Sequence, residues 1–309
     1  MELVFCWNIK LDLLWLACRL NILETVLSKV FTFCFGPSSS PDIPLFKRFQ
    51  AAWPSIHLNN LKPLEKATDK DNLNVNAVNS LLDILMTETQ SRDDYMELIE
   101  LSLLGLGHSL DNVHWRAPGA LHRARWMAKL LYAIKIFLFR EEDVFETTQR
   151  EKSQLERFVK FRMLVYVKYW FEAPMAANAP WSDLSLWKDM TTYEAIDPQI
   201  SEVVKNAIKS HLWYLSDELV GLSLFSDKVT NNANAETVKK IRCEPTDRKV
   251  RGDSSLLSDQ AELADFANQR SLQVFEKVKI NSTFLNTDPN EWNINQHWRE
   301  TNRKKPESC

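Results

Sequence analysis

Trp115-Arg116-Ala117-Pro118-Gly119-Ala120-Leu121-His122-Arg123-Ala124-Arg125-Trp126-Met127-Ala128-Lys129, running on through Leu130 to Phe139, reads as one long helix with a marked start. Proline at a first helical position loses nothing, because the N–H it lacks has no intrahelical acceptor there; Pro118 therefore predicts a helix of about twenty residues. Met127, Leu130, Leu131, Ile134 and Leu138 recur at helical spacing, and Trp126 and Phe137 widen the apolar surface past a single stripe. Such a helix is buried over most of its circumference. His122, Arg125 and Lys129 share its remaining face.

Outward from this segment the same period recurs. Leu13, Leu16, Leu20, Leu23, Leu27 and Val30 predict a helix within 11–35, ended by the Gly36-Pro37 loop, and Leu45, Phe46 and Phe49 predict a short one over 41–52. Two amphipathic helices follow over 75–89 and 93–105. An aromatic-rich helix from Phe158 stops before Pro174, and another covers 182–193. Asp197-Pro198 opens a long helix expected to hold its spacing through Val204, Ile208, His211, Leu215, Leu219 and Leu222. Residues 231–258 are polar and predict a mobile loop; 259–309 predict one helix and a basic irregular tail. Leu3 to Trp7 is short enough to suit either a strand or a helix. The fold class expected is all-α with few or no strands.

The totals narrow the function. At 309 residues and 45% hydrophobic, the chain has room for a sizeable core, and eleven Trp and sixteen Phe supply large apolar surface that must be covered. Six glycines and no glycine-rich phosphate loop argue against a dinucleotide-binding design. A net charge of −3 leaves no global basic bias, so any nucleic-acid role rests on a local patch. Five cysteines, none in a C-x-x-C pair, read as reduced thiols of an intracellular protein, the nucleus included. Lys10, Asp12, Arg19, Glu24 and Lys29 interrupt the apolar N-terminal stretch, so no membrane partner is expected.

Three constellations bear on chemistry. Arg116, Arg123, Arg125 and Lys129, with Lys135 and Arg140 beyond, are the DNA-binding candidates: cations near aromatic rings neutralise phosphates and stack bases. The alternative, cationic side chains snorkelling around a buried helix, stays open at this point. His122 and His211 mark the other reading, a helical enzyme with a histidine–carboxylate pocket. The acidic pairs Asp93-Asp94, Glu141-Glu142 and Asp217-Glu218 each offer at most one inward ligand, since neighbours on a helix point about 100° apart. No metal and no cofactor is expected.

The run from Ala117 through His122 and Arg125-Trp126-Met127 to Ile136, the segment Tyr169-Trp170-Phe171-Glu172-Ala173-Pro174, and His211-Leu212-Trp213-Tyr214-Leu215-Ser216 resemble, in order, a family of transposon-derived proteins of animal genomes. Gly36-Pro37-Ser38-Ser39 and Arg270-Ser271-Leu272 fall in the same order, so the resemblance covers nearly the whole chain. That family is similar to hAT-type transposases, whose RNase H-like core is interrupted by a helical insertion domain. The resemblance makes Cys18, His122, Trp126, His211 and Trp213 family-motif positions. It implies that 1–60 flanks a missing catalytic core and that 61–230 is the helical domain. Cys18 starts the family's Cys-x-x-His motif, but Asn21 stands where its histidine would be. Both catalytic aspartates would precede Met1, and the glutamate would lie beyond Cys309. The expectation is a catalytically inactive, truncated transposase-derived protein with weak DNA binding or self-association through exposed aromatic surface, and no small-molecule substrate.

Overall fold

The computed structural model describes residues 16–37, 43–64, 72–87, 92–111, 113–118, 126–243, 254–294 and 298–299. Among them the chain is all-α, without strands. The helices are α1 (Arg19–Phe35), α2 (Pro44–Ala52), α3 (Asn72–Thr87), α4 (Asp93–Gly105), α5 (Trp126–Leu138), α6 (Gln149–Phe161), α7 (Val167–Glu172), α8 (Ala179–Tyr193), α9 (Pro198–Lys209), α10 (Asn231–Cys243) and α11 (Leu272–Lys277). A π-helical turn, Arg162–Tyr166, joins α6 to α7. No helix among the described residues is long and apolar enough to cross a membrane.

Two compact units share the chain. The first comprises Val26–Lys168 and Tyr193–Val204; the second comprises the described parts of Met1–Thr25, Tyr169–Thr192 and Lys205–Cys309. In the first unit Phe31 is the hub, with ring centroids of Phe35, Trp126 and Phe158 within 5.7 Å and Phe46 at 6.4 Å. Helices α1, α2, α5 and α6 therefore meet on one aromatic side chain, where edge-to-face pairs add to the burial. The stretch 59–64 belongs to this unit as well, with Lys62 N–H donating to the Leu138 carbonyl and Leu64 N–H to that of Gly105. The second unit has its own aromatic knot, Phe225, Phe275, Phe284 and Trp292, with centroids 5.2–5.9 Å apart around Phe284.

Local chemistry accounts for several of the predicted boundaries. Helix α6 starts at a capping box: Glu151 N–H donates to Thr148 Oγ1, and Thr148 N–H to the Glu151 carboxylate. Helix α9 starts at Pro198, as expected, with Ile200 N–H donating to Asp197 Oδ1. Helix α4 spans the expected residues, and its second half is buried throughout.

Other expectations are corrected. Pro118 is buried but outside any helix, and α5 is described from Trp126; residues 119–125 lie outside the described residues. The segment before Pro118 is instead irregular and held by α4 and α5, whose side chains bind His114 and Arg116. The long helix expected from Pro198 ends at Lys209. Tyr214 hydroxyl then donates to the Ala17 carbonyl at 2.6 Å, and Leu219 N–H donates to Ser216 Oγ. Leu215, Leu219 and Leu222 are buried in a turn and a 3-10 helix rather than on one α-helical face. Where a mobile loop was expected, 231–243 form α10, with Asn234, Thr237, Val238 and Ile241 buried against the Leu263–Phe266 turn. Their i, i+3, i+4, i+7 spacing is helical, but only two of the four are apolar. The single helix expected from Asp259 is broken into 3-10 turns and the six-residue α11, because Asn268 caps inside it by accepting from Arg270 N–H. The short segment Leu3 to Trp7 and residues 244–253 lie outside the described residues.

Candidate functional site

Helix α4 places Asp93, Glu97 and Glu100 at i, i+4 and i+7, one face of the helix. The irregular segment 113–116 and helix α5 bring one basic group to each. Arg116 Nη2 lies 2.9 Å from Asp93, Lys135 Nζ 2.5 Å from Glu97, and His114 Nδ1 3.2 Å from Glu100. Lys135 also donates to the Arg116 carbonyl at 2.7 Å, and its ammonium stands 5.6 Å from the centre of the Trp53 ring. Burial pulls the Lys135 ammonium below its ordinary range, and Glu97 only partly restores it.

A second carboxylate repeats the His114 arrangement. Glu142 Oε2 accepts from His57 N–H at 3.3 Å and lies 3.4 Å from His57 Nδ1. Glu100 likewise receives both the backbone N–H and the ring of His114. The Asn60 side chain, then the His57 N–H, hold the Glu142 carboxyl below the usual carboxylate range. Each carboxylate grips a histidine from two sides and favours the tautomer with its proton on Nδ1. The Nε2 atoms belong to side chains 75% and 76% exposed, so each is available to solvent as a base or ligand. Neither histidine stood out in the sequence, because Glu142 is 85 residues from His57 and Glu100 is 14 from His114.

The basic patch is largely turned inward. Arg116 is exposed but paired with Asp93, and Lys135 is buried. Arg140 donates to the carbonyls of Lys62 and Phe137, both at 2.6 Å. Lys129 is half-buried with its ammonium 4.2 Å from the Trp126 ring centre and 4.9 Å from that of Phe31, and desolvation lowers its pKa. Arg123, Arg125 and His122 lie outside the described residues. Cys18 precedes α1 half-buried, while His211 and Trp213 sit half-buried in the turn after α9, each with a partner. His211 is thus off the helix on which the sequence placed it.

The acidic pairs behave as separate residues. Asp93 meets Arg116 while Asp94 meets Arg92; Glu141 meets Lys152 while Glu142 meets His57; Asp217 meets Arg270 while Glu218 meets Lys277. Among the described residues no three His, Cys, Asp or Glu side chains converge as a metal site. Buried Cys34 is a poor nucleophile, its thiol pushed up to about 12 by burial despite Arg157 nearby. Compared with protein-family models, with curated proteins and with solved structures, the chain finds no match.

Proposed function

We propose that this chain is a non-catalytic helical protein of transposase ancestry that acts through macromolecular contacts, chiefly with protein and only weakly with DNA. One observation supports the non-catalytic part above the others. The five carboxylate side chains buried among the described residues are Glu97, Glu100, Glu142, Asp183 and Asp197, and each faces its own basic side chain: Lys135, His114, His57, Arg19 and Arg157. Two-metal strand transfer needs the opposite, several carboxylates converging uncompensated on ions about 3.5–4 Å apart. The ancestry rests on the ordered resemblance from Gly36 to Leu272. Weak DNA binding is expected because Arg116, Lys135 and Arg140 are engaged internally and Lys129 is half-buried against aromatic rings; Arg123 and Arg125, outside the described residues, are the other candidates of the set.

The test is incubation of the purified chain with supercoiled and linear DNA in magnesium or manganese. No nicking or joining is expected, and either product overturns the reading. Binding measured at 50 and 200 mM salt should be weak, with a shallow salt slope of about two to three released counterions.

A further inference from the structure

Arg162 opens the π-helical turn and is 0% exposed. Its Nη1 donates to the Leu130 carbonyl at 2.5 Å, and its guanidinium carbon lies 5.5 Å from the Phe158 ring centre. Its Nε and Nη2 are buried and have no hydrogen-bond acceptor among the described residues. These two atoms form the side-on fork of a guanidinium, the edge shaped to grip both oxygens of one oxyanion.

Five residues earlier, Arg157 shows that edge in use, with Nε and Nη2 donating to the two Asp197 carboxylate oxygens at 2.6 and 2.8 Å. At Arg162 the same edge faces no carboxylate among the described residues, although burying a cation without a counter-charge is costly. The turn that carries it is a π-helix, the local widening most often retained at functional sites. The turn is also backed by α4, where a Cβ at Gly105 would run into the end of the Met163 side chain.

We infer that the Nε–Nη2 edge of Arg162 is an oxyanion-binding site in the core of the first unit, taking one carboxylate or phosphate group side-on. With the edge closed to solvent, binding follows a local opening of the π-turn and is slow. The bound anion supplies the counter-charge, so it stabilises the unit in step with the logarithm of its concentration above Kd.

The experiment is thermal unfolding of the full chain at neutral pH and matched ionic strength in chloride, acetate or phosphate. A rise of about 5 °C over chloride, growing with the logarithm of anion concentration, is expected at a hundredfold excess over Kd. A rise in acetate alone assigns a carboxylate ligand, a rise in phosphate alone a phosphate, and a rise in both a shared oxyanion site. Arg162→Lys keeps the charge but removes the fork, so it should abolish the difference; a rise of equal size in that variant reports general salt exclusion and overturns the site. Equal melting of the wild-type chain in all three salts also overturns it. Should Arg162→Lys fail to fold, equilibrium dialysis of radiolabelled acetate and phosphate against the wild-type chain, carried to constant counts, decides: retention of about one equivalent of either supports the site, and retention of neither refutes it.

Discussion

Two arginine–aspartate pairs, one in each unit, bury charge in opposite ways. In the second unit Arg19 Nη2 comes within 2.8 Å of Asp183, with side chains 1% and 7% exposed, but off the hydrogen-bond direction, so Nε, Nη1 and Nη2 all go without an acceptor among the described residues. In the first unit Arg157 grips Asp197 with two hydrogen bonds, reaches Gln199 as well and keeps a third of its side chain in water. The consequences for ionisation diverge. Burial pushes the Asp183 carboxyl up to about 6 against the pull of Arg19. Burial also acts on Asp197, but the Arg157 hydrogen bond and the Ile200 N–H outweigh it and hold that carboxyl below its usual range. Proximity of opposite charges is therefore not what stabilises a buried carboxylate; the number of well-aimed donors is.

The largest test of this contrast is Asp197→Ala. It removes the bidentate pair and the N-cap of α9 together, and a loss of about 3 kcal/mol is expected in urea unfolding at neutral pH. A loss below about 0.5 kcal/mol would show that the bidentate grip gives Arg157–Asp197 no more than an exposed pair contributes.

Asp183→Asn should show the opposite pH trend. A carboxyl whose folded pKa is raised contributes stability that is complete below its unfolded value and is lost as pH rises through the folded one. For Asp183 that window runs from about 4 to about 6, so by neutral pH the chain bears the cost of an ionised buried carboxylate. The uncharged isostere escapes that cost but leaves Arg19 without its counter-charge, so its stability relative to the wild type should rise from pH 4 to neutral pH. Asp197 has a depressed pKa, so its contribution is present above the unfolded value and is lost as pH falls through the folded one. Urea midpoints of the wild type and both variants from pH 4 to 7 measure the two trends. Parallel profiles for the two variants would erase the distinction.

The smallest expected effect compares how each unit packs a glycine. A Cβ at Gly221 in the second unit would lie 2.8 Å from the backbone carbonyl of Ser271, which cannot move alone, whereas at Gly105 in the first unit it would meet only the flexible end of Met163. Gly221→Ala should cost about 2 kcal/mol. Gly105→Ala should cost under about 1 kcal/mol, because strain on Met163 is offset by the better helix propensity of alanine. Calorimetric melting that ranks the two variants in reverse would show that the Ser271 segment yields more readily than the Met163 side chain.

Much of this was legible in the order of residues and much was not, and the line between them falls at identifiable places. The apolar period of α5, the proline start of α9 and the span of α4 depend on neighbours within a turn or two, and all three were readable. Helix α10 escaped because half of its buried face is Asn234 and Thr237, polar residues that pass for loop until something packs on them. At the candidate site the basic residues were visible as a set, but their partners lie on other elements: Asp93 and Glu97 on α4 meet Arg116 and Lys135 from beyond residue 110. The His57–Glu142 and His114–Glu100 pairs gave no local signal at all.

By itself, then, the sequence determined the all-α class, because helical period and capping are short-range properties, written wherever apolar residues recur every three to four positions. Only the tertiary structure decided which charges face one another: which arginine is fully matched, which, at Arg162, is buried with its side-on edge unmatched among the described residues, and which carboxylates orient histidines. Such pairings span tens of residues, and their strength depends on burial and donor geometry, neither of which a linear pattern encodes.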